Sequence, residues 1–438
     1  MSAQTGVREV GLACADILTL HKRPELPQET QVRGAAYAIG TVYARVELCY
    51  NPDIEHTKPL PEDPFSRNAA TGTAHFPTPA YQQQEIVFQR AFDVLRQAVA
   101  GHAFPAASVA ITCDGNLIAL KAVGRLTYEA SAPEVTTATI FDLASVSKVV
   151  ATTTMAMILY ERGLLDLEMP VAAVAPEFAA GDNRRREVTL HQLLAHSSGL
   201  PAYEKLFLRA QSREDLLAAA FATPLVADPG TRAEYSDIGF IILGTALERI
   251  ADERLDRFCQ REIFGPLGMT HTTFNPESAL RLSIPPTVDD VTFRHRVIQG
   301  EVQDENAGVL GGVAGHAGLF ATAEDVATFA HAMLNGGRPI LRAETLALFT
   351  SREPGPVGTS RALGWDTPSS PSQSGKYFSA SSFGHLGYTG TSLWMDPARQ
   401  LSVTLLTNRT WPDTRNQGIK EVRPAFHDAV IEALEASP

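Results

Sequence analysis

The feature that most restricts how this chain can fold is a pair of strand signals at opposite ends of a long sequence. Val109, Ile111 and Cys113 alternate with other residues, Asp114-Gly115 follows, and apolar character returns over Leu117 to Val123. Asp-Gly accepts the positive φ that a two-residue turn demands, so the segment reads as a β-hairpin. Far downstream, Thr391 to Met395 and Leu401 to Thr407 read as two more strands, with Asp396-Pro397-Ala398-Arg399 turning between them. Phe88, Phe92, Leu95 and Val99 recur at helical spacing before the hairpin and stop at Gly101, and Val422 to Leu434 reads as a closing helix. The stretch from about 145 to 350 is rich in helical patterns. Hairpins imply antiparallel pairing, so the expectation is an α+β fold. One antiparallel sheet is built from residues near 105–125 and 383–408, flanked by terminal helices, with a mostly helical lobe inserted.

Composition narrows the class. With 44% hydrophobic residues in 438, the chain can bury a large core. Lys plus Arg number 37 against 49 Asp plus Glu, a net charge of −12, which excludes nucleic acid or an anionic membrane as the main partner. Cys14, Cys49, Cys113 and Cys259 are widely spaced with no Cys-x-x-Cys, so buried free thiols are expected rather than a disulfide scaffold or a zinc site. The apolar run Val149 to Tyr160 is too short to span a bilayer. Asp16 interrupts the segment Val10 to Leu20, which leaves no export signal and gives a cytoplasmic expectation. Residues 1–84 read as an N-terminal extension. It contains a strand-like alternation over Thr41 to Leu48 and a linker rich in proline from Pro52 to Pro79. Residues 85–438 read as the functional domain.

Several chemical signatures are missing: no Gly-x-Ser-x-Gly elbow, no His-Glu-x-x-His helix and no phosphate-binding Gly-x-x-x-x-Gly-Lys loop. His191 and His196 are badly spaced for a shared metal, so no metal and no organic cofactor is expected. The informative segment is Ile140-Phe-Asp-Leu-Ala-Ser145-Val-Ser-Lys148, followed by a helical pattern from Val149 to Leu165. Ser145 falls near the start of that helix, where unpaired N–H groups favour an oxyanion. Lys148 follows one turn later on the same face. A serine hydroxyl needs an adjacent base, and a lysine in a dry pocket can serve as one. Read alone, the same pattern also suits a helix cap and a surface lysine. Two further segments stand with it. Tyr235-Ser236-Asp237 precedes an apolar helix, and Phe383-Gly-His385-Leu386-Gly387-Tyr388-Thr-Gly390 carries three glycines that permit close approach of a ligand along a strand edge.

Taken in order, these segments resemble the Ser-x-x-Lys, Tyr-x-Asn and Lys-Thr-Gly motifs of the serine β-lactamase and penicillin-binding protein superfamily. The resemblance covers roughly residues 85 to 435 and points to the class C-related branch of family VIII esterases, D-aminopeptidases and DD-peptidase-like proteins. It sets a periplasmic or secreted location beside the cytoplasmic expectation. It implies that Ser145 is the acylated nucleophile, Lys148 its proton partner and Tyr235 the general base. His385, Leu386 and Gly387 take the third-motif position, and the N–H groups of Ser145 and Tyr388 form the oxyanion hole. Which of Lys148 and Tyr235 takes the first proton stays open at this stage.

Two departures matter. Asp237 replaces the asparagine of the second motif, and an ionised carboxylate accepts hydrogen bonds without donating. Beside Lys148 it is expected to hold the lysine charged and shift the base role to Tyr235, or simply to pair with it. His385 replaces the usual lysine, which weakens any carboxylate anchor there. The implied function is a serine hydrolase working through an acyl-enzyme on an ester, an amide, a D-amino-acid peptide or, weakly, a β-lactam. The alternative is a slow-turnover or non-catalytic binder of penicillin or peptidoglycan peptides. Among secondary candidates, His316 reads as bracing a turn, His196 as packing, and Asp304-Glu305-Asn306 as a solvated loop or a cleft border. Trp365 reads as either pocket wall or core.

Overall fold

A computed structural model describes residues 81–436. The strand pattern at Thr41–Leu48, the proline-rich stretch, Cys14 and Cys49 lie outside the described residues. The two distant pairs of strand signals meet in one five-stranded antiparallel sheet. Its strands are β1 (Ala106–Cys113), β2 (Asn116–Gly124), β3 (Phe383–Leu386), β4 (Ser392–Asp396) and β5 (Leu401–Thr407), in the order β2-β1-β5-β4-β3. The hairpin turn takes φ of +48° at Asp114 and +77° at Gly115, the left-handed pair that Asp-Gly favours. The first hairpin joins the C-terminal strands through β1 and β5, with Val109 opposite Leu405 and Ile111 opposite Val403.

Both faces of the sheet are covered, which explains why β5 is buried at every position. Val109, Ile111, Val403 and Leu405 point into a core shared with the helices α1 (Gln89–Ala100) and α5 (Ile419–Ala436), where Phe92, Leu95, Phe426 and Val430 pack. Strand alternation turns Ala110 and Leu406 to the other face, into the larger core of the helical lobe. That lobe contains α2 (Thr154–Glu161), α3 (Asp237–Ala251) and α4 (Ala323–Leu334), with α4 lying against β1 and β5. Trp365 is core: fully buried, it stacks 6.4 Å from Phe329 and meets Phe383 edge-on at 5.1 Å. Cys259 is a buried free thiol, whereas Cys113, at the solvent end of β1, is only half-buried. No helix among the described residues is long and apolar enough to cross a membrane.

The helix expected over Val149–Leu165 differs in detail. It opens as a 3-10 turn over Ala144–Val146, passes through a π-helical stretch over Lys148–Thr153, and becomes α2 only at Thr154. The Thr154 hydroxyl donates to the carbonyl of Val149 at 2.8 Å inside that wide turn. Gly163, at φ +68°, ends the helix short of Leu165.

His427 of α5 is fully buried, and burial, followed by the charge of Arg423, holds its imidazole down at about 3. Because the folded value lies below the unfolded one of about 6.5, its contribution to stability is complete above pH 6.5. That contribution is lost as pH falls towards 3. Replacing His427 with Phe is therefore expected to flatten the fall in melting temperature between pH 7 and pH 5 relative to wild type. Parallel melting curves in that range would contradict the assignment.

Candidate active site

Ser145 stands on a strained corner. Ala144 before it takes φ of +47°, a region costly for a residue with a Cβ. Two neighbours hold that conformation. The buried Asp142 carboxylate accepts the N–H of Ala144 at 2.8 Å and that of Gln303 at 2.7 Å. The turn after β3 then straps the lead-in from the other side. Thr389 and Thr391 donate their hydroxyls to the carbonyls of Asp142 and Leu143, at 2.8 and 2.9 Å.

Three side chains distant in sequence converge here. Lys148 Nζ lies 3.0 Å from Ser145 Oγ, and the Tyr235 hydroxyl lies 2.6 Å from that same oxygen. Lys148 also donates to Asp237 Oδ1 at 2.6 Å and to the main-chain carbonyl of His316 at 2.9 Å. Asp237 Oδ1 is 3.1 Å from the Tyr235 hydroxyl, so one carboxylate oxygen touches both partners of the serine. Tyr235 and Asp237 flank Ser236, the N-cap of α3, whose hydroxyl accepts from the N–H of Gly239 at 3.0 Å. His196 is a packing histidine: its ring lies 4.8 Å from that of Tyr235 and 5.0 Å from that of Phe240. Its Nδ1 accepts the Ser236 N–H at 3.0 Å.

Burial dominates the electrostatics. Lys148 has no exposed surface, and desolvation pulls its ammonium below the ordinary lysine value against the opposing charge of Asp237. Tyr235 moves the other way: burial first, then Asp237, holds its phenol well above the usual value. The expected support of Asp237 for the charge on Lys148 is present, with burial opposing it. Asp237 does favour the ammonium, but loss of water outweighs it. The same carboxylate makes a phenolate at Tyr235 harder to form.

His385, on β3, is also buried, and desolvation, with the charges of Lys148 and Arg361, keeps its imidazole well below the ordinary value. Among the described residues its Nε2 has no hydrogen-bond partner. A neutral ring here gives no ionic anchor, as the substitution for lysine suggests.

Ser145, Tyr235, Asp237, His385, Leu386, Gly387 and Tyr388 line one cleft of about 690 Å³. A larger surface groove near Arg184, Phe221 and Arg249 contains none of these groups. The third-motif glycines make room for the protein itself rather than for a ligand, which corrects the sequence reading. A Cβ on Gly387 would stand 1.8 Å from Thr391 Oγ1 and 2.6 Å from the carbonyl of Leu143. One on Gly384 would meet the carbonyl of Leu393 at 2.3 Å.

Asp304-Glu305-Asn306 is not a solvated loop. Asp304 and Glu305 line the cleft and Asn306 is fully buried. Sequence reasoning missed Arg361, whose guanidinium lies 5.4 Å from the centre of the Tyr235 ring and pairs with the Asp366 carboxylate. It also missed Arg409 and Arg423, on the far wall of the cleft. No spacing links these arginines to the motifs. Trp365 is the one sequence candidate near Arg361.

The β-lactamase family model matches residues 91–424. The chain belongs to the β-lactamase family. Among curated members, it is 33% identical over 343 residues to an N-acetylmuramyl-L-alanine amidase of Bacillus subtilis, covering 70% of this chain and 77% of the relative. It is 32% identical over 345 residues to a putative D-alanyl-D-alanine carboxypeptidase of Escherichia coli K12, covering 70% and 79%. Among solved structures, EstCE1, described as a hydrolase with promiscuous acyltransferase activity, shares the fold with a TM-score of 0.64. It is 22% identical, covering 78% of this chain and 98% of its own. As in this family's motif order, the first motif here lies on a helix start and the third on an edge strand.

The docking at Gly387 yields a test. Both close atoms belong to the segments that carry Ser145 and Tyr388, so a methyl group must push them apart. Gly387→Ala is expected to lower the rate of Ser145 acylation about 100-fold, because ångström-scale misplacement has effects of that order. Labelling by a fluorophosphonate at the wild-type rate would show that the gap tolerates the methyl group.

Proposed function

We propose that residues 85–438 work as a serine hydrolase that forms an acyl-enzyme on Ser145. The observation that carries the proposal is the double contact at Ser145 Oγ: a buried lysine nitrogen at 3.0 Å and a phenol oxygen at 2.6 Å. In the amine form, Lys148 has two N–H groups for Asp237 and the His316 carbonyl, leaving a lone pair for the serine proton. In the first step Lys148 takes that proton as Oγ bonds to the substrate carbonyl carbon. The oxyanion is received by the N–H groups of Ser145 and Tyr388, donors that each contribute about 3 kcal/mol in comparable sites. The bond to the leaving group then breaks, and Tyr235 protonates the departing atom, recovering its proton from the Lys148 ammonium. Water enters by the reverse path: Tyr235 and Lys148 remove its proton, and Ser145 regains one as the acid leaves.

The cleft favours a substrate with a free carboxylate. Arg409, Lys420 and Arg423 line its wall beyond Tyr388. Arg409 bonds to the carbonyls of Tyr388, Thr414 and Asn416, and Arg423 to Gln373 and the carbonyl of Thr391. Among the described residues none of the three is paired with a carboxylate. In a chain of net charge −12, this local excess of cations attracts an anionic group. The relatives named as amidase and carboxypeptidase support a peptide or amide substrate over a neutral ester. Nucleic acid has no place in this reading.

Mass spectrometry after incubation with a fluorophosphonate, a penicillin, a p-nitrophenyl ester and a D-alanyl-D-alanine peptide tests the mechanism. An adduct on Ser145 that forms and turns over is expected, together with loss of all turnover in Ser145→Ala. A persistent adduct would make the protein a capturing binder instead, and undiminished hydrolysis by Ser145→Ala would end the assignment. The substrate reading is tested separately. A peptide with a free C-terminal carboxylate is expected to exceed its C-terminal amide at least tenfold in kcat/KM. Equal values would reject a role for the cationic wall.

A further inference from the structure

Lys148 makes one bond that no motif predicts, to the main-chain carbonyl of His316 at 2.9 Å. The loop that presents this carbonyl is tightly held. Gly315 lies against α3, where a Cβ would meet the carbonyl of Phe240 at 2.1 Å, and its own carbonyl accepts the Thr152 hydroxyl at 2.6 Å. His316 itself is 1% exposed, and its Nε2 lies 2.8 Å from Asp304 Oδ1. That oxygen also accepts the N–H of Ala307 at 2.8 Å, so the carboxylate acts as acceptor and His316 Nε2 as donor. Among the described residues His316 Nδ1 then has no hydrogen-bond partner, a rare arrangement for a buried polar atom. Asp304 is fixed in turn by the short helix it caps. Asn306 in that helix donates to the carbonyl of Glu204 at 2.9 Å and accepts the N–H of Phe207 at 3.0 Å.

We propose that Asp304 and His316 are positioning residues for catalysis: the carboxylate holds the imidazole, and the imidazole holds the carbonyl that aims Lys148 at Ser145. The inference rests on the reading of Ser145 as nucleophile. The pair does two things that a plain loop brace would not. It fixes one of the three acceptors around Lys148 Nζ, and so the direction left for the serine. It also places a second anion, after Asp237, near that nitrogen. Burial works against the Asp304 carboxylate, yet His316, the bond from Ala307 and the charge of Lys148 outweigh it and hold the carboxylate below its usual range. The other charged or titratable groups around Lys148 are Asp237 and Tyr235 at the start of α3, Arg361 with its partner Asp366, His385 on β3 and His196 beneath Tyr235.

The experiment measures the rate of fluorophosphonate labelling of Ser145 against pH, from 5 to 10, in the full-length chain, with melting curves alongside. Asp304→Asn keeps the shape and an acceptor for Ala307 but removes the charge. An anion lost near Lys148 makes its proton leave more easily, so the acid limb of the profile should move to lower pH, by about half a unit or more. Asp304→Glu should return the limb towards its wild-type position. His316→Ala frees the carbonyl while leaving the Asp304 charge, and should lower the plateau rate about tenfold without moving the limb down. An unmoved limb in Asp304→Asn, with a plateau within twofold of wild type in His316→Ala, would overturn the proposal. So would rate losses that track only the fraction of unfolded protein, which the His316→Ala melting curve reads even if Asp304→Asn does not fold. Absence of labelling in wild type at every pH would instead strike the Ser145 reading itself, and this inference with it.

Discussion

A lysine nitrogen with no access to water is the constraint on which the site is built. Burying an ammonium is costly unless it is paired and hydrogen-bonded, and Lys148 meets that condition with three acceptors from three parts of the chain. The acceptors come from three separate elements: the strained corner at Ala144, the capped start of α3 and the loop of Gly315 and His316. The proton affinity of that nitrogen is set by opposing influences. Desolvation lowers it, while Asp237 and Asp304 raise it. Tyr235 sits in the same dry environment with the opposite response, since burial and the same carboxylate keep it a phenol. Two titratable groups pushed apart by one environment is a recurrent way to divide acid and base roles.

The sheet serves this arrangement by joining β3 to the nucleophile. The threonine hydroxyls of the turn after β3 reach the carbonyls that precede Ser145, and Gly387 permits the approach. The glycines are therefore tolerances in an internal joint. The joint sets the distance between the segment that carries Ser145 and the one that carries Tyr388.

Much of this was legible in the sequence because it depends on local rules. Asp114-Gly115 announced its hairpin, period-two alternation marked the strands, and Ser145, Lys148 and Tyr235 carried the motif order of a known family. The parts that were not legible arise from tertiary contact. Arg361 lies near Tyr235 only because the segment around Trp365 is anchored in the core. The acidic residues at 304–305 read in sequence as either a surface loop or a cleft border, and only the tertiary structure decides for the cleft. The carbonyl of His316 is a backbone atom, invisible to any reading of side-chain types. Sequence reveals Asp237 as a charged neighbour of Lys148 but not the dehydration that opposes it.

The marriage of β1 to β5 has a consequence for how such a chain comes into being. Thr112 and Ser402, whose hydroxyls meet at 2.6 Å, are 290 residues apart. Contacts of such long range delay folding, since a large loop must close before they form. During synthesis the hairpin at the front leaves the ribosome long before its central partner exists, exposing an unpaired sheet edge. The serine, lysine and tyrosine are likewise all translated before the strand that completes the cleft. A nascent chain therefore holds its chemistry in separate pieces until the strands between Phe383 and Thr407 have been made.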